Sequence, residues 1–214
     1  MTYNILLFAK DKPGLQEVLA FLKNSGNNID YYIGAANDDY PKINLNYDIL
    51  ISYMSPWIIK KDTLDKIDKW AINFHPGPPK YPGIGCTNFA IYNQENEFGV
   101  TAHIMEEKVD SGQILNVKKF PLMQNDSVYD LTQRCYFYIH TQFIEIMLYI
   151  FKNNSIPKCN EEWTRKPYTR KELNDLCRID VNMTKKEIAR RIRATQFPNM
   201  PGAYIELNGY KFKY

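Results

Sequence analysis

An amide and an imidazole two residues apart, Asn73 and His75, stand where a short apolar run, Trp70 to Phe74, enters a proline- and glycine-dense stretch from His75 to Gly85. On a strand, side chains at i and i+2 leave the same face of the pleat, so both groups are presented together at the strand's end. That pair suits acyl transfer to an amine. The amide N–H donates to the oxygen on which charge develops, and the imidazole takes the proton that an attacking amine must lose. The same residues also serve as ordinary turn formers at a strand end, and their spacing alone leaves both possibilities open. Asp110, in Asp110-Ser111-Gly112 between two apolar runs, is likewise common turn chemistry when taken by itself.

The elements that must position these groups follow from hydrophobic spacing. Asn4 to Ala9, Ile29 to Ile33, Tyr47 to Tyr53, Trp70 to Phe74, Gly99 to Met105 and Gln113 to Val117 form six candidate strands. Leu15, Val18, Leu19 and Leu22 have helical spacing, and Gly26 closes that segment. A second helix is expected from about Trp57 to Ile67, and a third over Thr87 to Asn93. Asn125-Asp126-Ser127 caps a long helix whose apolar positions are Val128, Leu131, Cys135, Ile139, Phe143, Ile146 and Ile150. Strands alternating with helices predict a mostly parallel, doubly wound α/β sheet with ligands beyond the carboxyl ends of its strands. Asn153 to Glu162 is polar and linker-like. Beyond it, Thr169-x-x-Glu172 and Thr184-x-x-Glu187 have capping-box form, and Ala203 to Tyr214 with Asn208-Gly209 has the pattern of a hairpin. The division expected is a catalytic domain over residues 1–152 and a helical and hairpin extension over 153–214.

Composition narrows the chemistry. The chain has 214 residues, 44% hydrophobic, with 27 basic and 24 acidic side chains and a net charge of +3. That charge is small for a surface that binds nucleic acid, so any polyanionic partner is expected to be small. The four cysteines, Cys86, Cys135, Cys159 and Cys177, form no C-x-x-C pair, and no apolar stretch is long enough to span a membrane. A reduced, cytoplasmic protein without membrane partners is expected. His103 and His140 are taken as structural and, lacking further ligands, as no metal site. Gly83-x-Gly85 is only a fragment of a dinucleotide fingerprint and lies in a long loop, so it carries no weight as one.

Three ordered segments are more specific than any single residue. They are Asn73-Phe74-His75 with Pro76 to Gly83, then Phe98-Gly99-Val100-Thr101-Ala102-His103, then Lys108-Val109-Asp110-Ser111-Gly112-Gln113-Ile114, with Asp110 35 residues after His75. Together they resemble the catalytic core of the 10-formyltetrahydrofolate-dependent formyltransferases, whose fold is a Rossmann-like sheet. The resemblance implies that His75 accepts the amine's proton, Asn73 stabilises the oxyanion and Asp110 orients His75. It also implies a folate site of Tyr53, Met54, Pro76, Gly77, Pro78, Pro79 and Ile104, in which Met54 and Ile104 would equally serve as plain core.

The loop Pro76 to Pro79 and the sequence Tyr81-Pro82-Gly83 followed by Asn88-Phe89-Ala90-Ile91-Tyr92 are similar to the sugar-nucleotide N-formyltransferases. That branch implies a dTDP-linked 4-amino-4,6-dideoxyglucose, or its 3-amino isomer, as acceptor, an N-formylated sugar for a surface polysaccharide such as O-antigen, and a homodimer. Lys10 and Lys80 are candidates for a phosphate, Tyr81 for the substrate wall, and Arg193 and Phe197 match a segment shared within that branch. Solvated helix faces explain most of the other basic residues. The alternatives are formylation of glycinamide ribonucleotide, of methionyl-tRNA, or a silent folate- or nucleotide-binding module of the same fold.

Overall fold

The structure is a computed structural model that describes residues 2–214. Six strands, β1 (Asn4–Ala9), β2 (Asn28–Ile33), β3 (Tyr47–Tyr53), β4 (Ile67–His75), β5 (Glu97–Ile104) and β6 (Ile114–Pro121), form one sheet in the order β2-β1-β3-β4-β5-β6. The first four run parallel, while β5 and β6 are antiparallel additions at the far edge. The chain steps outward from β1 to β2, then crosses back to place β3 on the other side of β1. This reversal leaves a crevice at the carboxyl ends of the parallel strands, as open α/β sheets do.

Alternation along each strand sorts the side chains into two cores. Ile5, Leu7 and Ala9 of β1, with Ile72 and Phe74 of β4, face α1 (Leu15–Lys23) and the long α4 (Val128–Asn153). Helix α4 buries Val128, Leu131, Cys135, Ile139, Phe143, Ile146 and Ile150, the stripe that its sequence spacing predicts. A buried Gln142 on the same stripe donates to both the side chain and the carbonyl of Asn116, tying α4 to β6.

Leu6, Phe8, Leu50 and Ala71 point to the other face, where no long helix lies. The expected helix over Trp57 to Ile67 is reduced to α2 (Lys61–Leu64). The physical reason is packing. Trp57 meets Phe8 edge to face, Ile59 packs against the same cluster, Lys60 is extended at φ −80 and ψ 152, and β4 begins three residues earlier than its apolar run suggests. Loop backbone, rather than a helix, therefore covers this face beside the site.

After α3 (Cys86–Asn93), β5 and β6, residues beyond α4 form α5 (Arg170–Cys177), β7 (Arg178–Ile179), α6 (Lys185–Thr195), β8 (Tyr204–Leu207) and β9 (Tyr210–Lys213). Thr169 and Glu172 close the reciprocal capping box at α5. Thr184 caps α6, but Glu187 is taken by Tyr92 and Arg191, so the second expected box is only half made. Asn208 and Gly209, both at positive φ (49° and 81°), make the two-residue hairpin turn between β8 and β9. Among the described residues no helix is long and apolar enough to cross a membrane.

Candidate active site

The register of the sheet assembles the site. Asn73 of β4 pairs across the antiparallel ladder with His103 of β5, so their side chains share a face, and His75 pairs with Thr101. Asn73 also aligns with Ser52 of β3. Because Ile72 and Phe74 turn into the α4 core, Asn73 and His75 turn to the opposite, loop-covered face. A cleft of about 430 Å³ opens there, lined by Ser52, Met54, Trp57, Asn73, His75, His103, Met105 and Asp110 among others.

Asp110 is the hub. It sits in the left-handed region at φ 46° and is almost completely buried. Oδ2 accepts from the Gly83 backbone N–H at 2.7 Å and faces His75 Nδ1 at 3.3 Å. Oδ1 lies 3.2 Å from His103 Nε2 and 3.5 Å from Asn73 Nδ2. Burial pushes the carboxyl up, but His75, His103 and the Gly83 amide more than offset it and bring it down to about 2. Asp110 is thus a carboxylate throughout the working pH range.

The two rings differ in what they can do. His103 Nδ1 faces the Ile104 carbonyl at 2.8 Å, so that nitrogen carries a proton. Its Nε2 accepts from Asn73 Nδ2 at 3.0 Å in the neutral ring, or donates to Asp110 in the charged one. His75 Nε2 faces the Tyr81 carbonyl at 2.8 Å while Nδ1 faces Asp110, so a neutral ring can donate to only one of the two. Proton acceptance from a ligand therefore requires one of these nitrogens to leave its present oxygen. Apo geometries commonly show such looser or diverted bonds.

The loop after β4 is built around close approaches. A Cβ at Gly77 would lie 2.7 Å from His75 Nε2, and a Cβ at Gly83 would lie 2.4 Å from the Tyr168 carbonyl with φ at 85°. Only glycine permits both the Gly83 bond to Asp110 and the crossing of residue 168 behind it. Cys86 donates to the Pro76 carbonyl at 3.1 Å, and burial pushes its thiol up to about 12, so it stays protonated and offers no competing nucleophile.

The structure brings Asn73, His75, Asp110, Met54 and Pro76 together at the cleft. Tyr53 lies beneath it, packed on Phe74 and Phe143, and among the described residues its hydroxyl has no hydrogen-bond partner. Ile104 contributes its carbonyl to His103 and packs against the core rather than lining the cleft. Gly77, Pro78 and Pro79 shape the loop behind His75, with the Gly77 carbonyl accepting from Thr101 and the Pro79 carbonyl from the Thr164 N–H.

The charged candidates lie elsewhere. Lys10 does not line the cleft, whereas Lys12, two residues on, does. Lys80 pairs with Glu95 at 2.6 Å on the surface. Tyr81 is buried, with its hydroxyl on Glu95 and only its carbonyl at His75. Arg193 donates to the carbonyls of Gln124 and Asp126, anchoring α6 to the approach of α4, and Phe197 packs beside Tyr129.

Three participants escaped the sequence reading. His103 was visible in Gly99-Val100-Thr101-Ala102-His103, since the alternation that faces Thr101 toward the site faces His103 there too. Gly83 stood in the motif Tyr81-Pro82-Gly83 and in a discounted glycine pair, but was given no role of its own. Trp163, the residue after the supposed linker, stands edge-on to both imidazoles, with ring centroids 5.0 Å from His103 and 5.9 Å from His75.

Comparisons with known proteins bear on the family and the fold. A methionyl-tRNA formyltransferase of Borrelia garinii is 34% identical over 152 residues, covering 70% of this chain and 47% of that protein. The chain thus spans about half the length of the curated relatives it matches most strongly. The GDP-perosamine N-formyltransferase of Brucella melitensis is 28% identical over 190 residues, covering 85% of this chain and 71% of that protein. The fold is shared with an N-formyltransferase from Helicobacter canadensis solved with folinic acid and dTDP-3-aminofucose, at TM-score 0.74 and 23% identity over 98% of this chain and 85% of that one. Residues 20–147 match the formyl transferase family model, and with its sheet, its crevice and its Asn–His–Asp cluster the chain belongs to the formyl transferase family.

Proposed function

We propose that the chain transfers a formyl group from 10-formyltetrahydrofolate to the amine of a dTDP-linked amino-dideoxy sugar, with 4-amino-4,6-dideoxyglucose the first acceptor to test. The observation that carries this reading is the buried Asp110 carboxylate held between His75 and His103, with the Asn73 amide beside it at the cleft edge. The apolar wall of Met54, Trp57, Ile58 and Met105 fits a flat heterocycle, while exposed Glu106, Glu107 and Lys108 at the rim offer polar contacts. The donor, when bound, would supply the formyl carbon, its own nitrogen–carbon bond breaking as the amine's forms, and would leave as tetrahydrofolate with the proton that His75 had taken.

The remaining steps belong to the chain's own residues. The Asn73 amide carries two N–H groups, one on His103 at 3.0 Å and the other on Asp110 Oδ1 only at 3.5 Å, so the second is the one that can turn to an oxygen gaining charge in the cleft. His75 keeps its ring plane and its Nδ1 on Asp110 while Nε2 exchanges the Tyr81 carbonyl for the amine and receives its proton, and Asp110 stabilises the charged ring through Nδ1. Removing the carboxylate leaves that charge without compensation in a buried site. Residues 1–152 act as the catalytic unit and 153–214 as an extension closed against it. The setting proposed is the cytoplasm, which the four free cysteines support, and the assembly proposed is a homodimer.

A sugar acceptor is favoured over methionyl-tRNA by the small net charge of +3 and by the perosamine enzyme's match, which covers 85% of this chain and 71% of that protein against 79% and 53% for a transfer-RNA enzyme of Ehrlichia ruminantium. The higher identity to the transfer-RNA enzymes keeps that acceptor as the second reading. Purified protein is incubated with 10-formyltetrahydrofolate and, separately, the 4-amino sugar nucleotide, its 3-amino isomer, glycinamide ribonucleotide and initiator methionyl-tRNA. Products are resolved by mass. A formyl increment on a sugar nucleotide is expected. An increment only on the transfer RNA or the ribonucleotide overturns the acceptor, and none on any amine overturns the activity.

A further inference from the structure

The catalytic cluster has a fifth contact from far along the chain. Residues 163–168, beyond the long helix and beyond the segment that defines the family, form a strap along the loop after β4. Thr164 N–H donates to the Pro79 carbonyl at 3.3 Å, Tyr168 N–H to the Pro82 carbonyl at 2.8 Å, and the Tyr168 carbonyl accepts from Ile84 at 3.2 Å. Tyr168 is sandwiched further, stacked on Phe89 with ring centroids 3.8 Å apart and covered by the Arg165 guanidinium at 3.2 Å. With its backbone fixed this way, the strap delivers the Trp163 indole to the back of the two imidazoles. Indole Nε1 donates to the Gly112 carbonyl at 2.8 Å, two residues after Asp110.

Both rings need such a neighbour. The torsion that turns an imidazole joins an sp³ carbon to an sp² ring, so it has a broad minimum and is set by packing rather than by a staggered well. Asp110 must meet His75, His103, Asn73 and Gly83 at once with two oxygens. A ring turned by a few tens of degrees loses its carboxylate bond. Trp163 meets His103 at an interplanar angle of 87° and His75 at 71°, so one indole blocks rotation of both and keeps water from that side.

We propose that Trp163 is a positioning residue: from outside the family's matched segment it fixes the ring planes of His75 and His103 about Asp110 and ties the Asp110 loop to them through Gly112. This rests on the formyl-transfer reading only for its kinetic consequence. The titratable groups near the rings are Asp110, each other, and Cys86 beyond Gly77, with Lys12, Glu106, Glu107, Lys108 and Tyr136 on the cleft walls and Cys159, Glu161 and Glu162 beside the indole. All are retained when Trp163 is changed.

The experiment compares wild type, Trp163→Leu and Trp163→Phe, first by titrating the ¹⁵N-labelled imidazoles by NMR in the ligand-free protein, then by steady-state kinetics. His140, in α4, is the internal control. The expected result in Trp163→Leu is a shift of titration midpoint or tautomer balance at His75 and His103 but not at His140. A fall in kcat of roughly ten- to a hundredfold is expected with KM for both substrates within about threefold. Trp163→Phe, which keeps a ring and loses the Nε1 donor, is expected to recover most of the titration behaviour. Unaltered His75 and His103 titrations in a folded Trp163→Leu protein overturn the proposal, whatever the activity. Should Trp163→Leu not fold, Trp163→Met decides by the same criterion: displaced His75 and His103 titrations with an unmoved His140 support the proposal, and unaltered ones overturn it. Absence of formyl transfer by wild type would refute the parent reading and leave the NMR comparison as the test of Trp163.

Discussion

The chemistry at the centre turns on one carboxylate with more partners than oxygens. Asp110 is held at about 2, below the usual range near 4, so the folded state keeps its proton off longer than the unfolded chain does. Its contribution, about 2 kcal/mol by linkage, is fully present above the unfolded value and is lost as pH falls from about 4 toward 2. Asp110→Asn should therefore flatten the acid limb of a stability curve measured by denaturant titration at successive pH values, and should lower transfer about a thousandfold by leaving His75 without its charged partner. Gly83→Ala tests the same hub from the backbone side. A side chain at φ 85° and 2.4 Å from the Tyr168 carbonyl forces the strap away. Calorimetry should show a loss of about 1–3 kcal/mol, with activity falling because the N–H on Asp110 moves too.

At the scale of elements, the cap of α4 is the clearest local device. Ser127 accepts from the Asp130 N–H while Asp130 accepts from the Ser127 N–H, closing both ends of the box on a 26-residue helix that covers the main core. Ser127→Ala should cost about 1 kcal/mol in thermal unfolding. Phe143, fully buried and touching Tyr53 and Phe74 under the site, should cost about 3–5 kcal/mol when changed to alanine. The α4 stripe was legible from its period of about 3.6 and β5 from alternation, while β1 and β3 were legible as short continuous apolar runs, buried on both faces. The segment 57–67 was not, because Trp57 and Ile59 answer to Phe8, a tertiary neighbour that no local period reveals. Glu187 failed as a capping-box partner for the same reason, since Tyr92 and Arg191 compete for its carboxylate.

For the whole molecule, the site is a meeting of three distant stretches: the end of β4, the turn after β5, and the strap after α4. The first two carry local motifs, and Asn73, His75 and Asp110 were legible from them. Lys10 and Lys80 were chosen for charge near a motif and Arg193 for a segment shared within the sugar branch, yet the structure spends Lys80 and Arg193 on Glu95 and on backbone carbonyls. Trp163 was hidden because its neighbours in sequence are polar and its neighbours in space are histidines. The account rests on His75 receiving a proton at the head of that assembly, and the most direct measurement pairs transfer with binding in His75→Gln. Formyl product is quantified by mass under single-turnover conditions, and folate affinity is measured on the same samples by calorimetry. The account predicts that wild type forms product, that the variant is slower by about a thousandfold, and that folate binds both within about threefold; a variant that transfers formyl at the wild-type rate would contradict it.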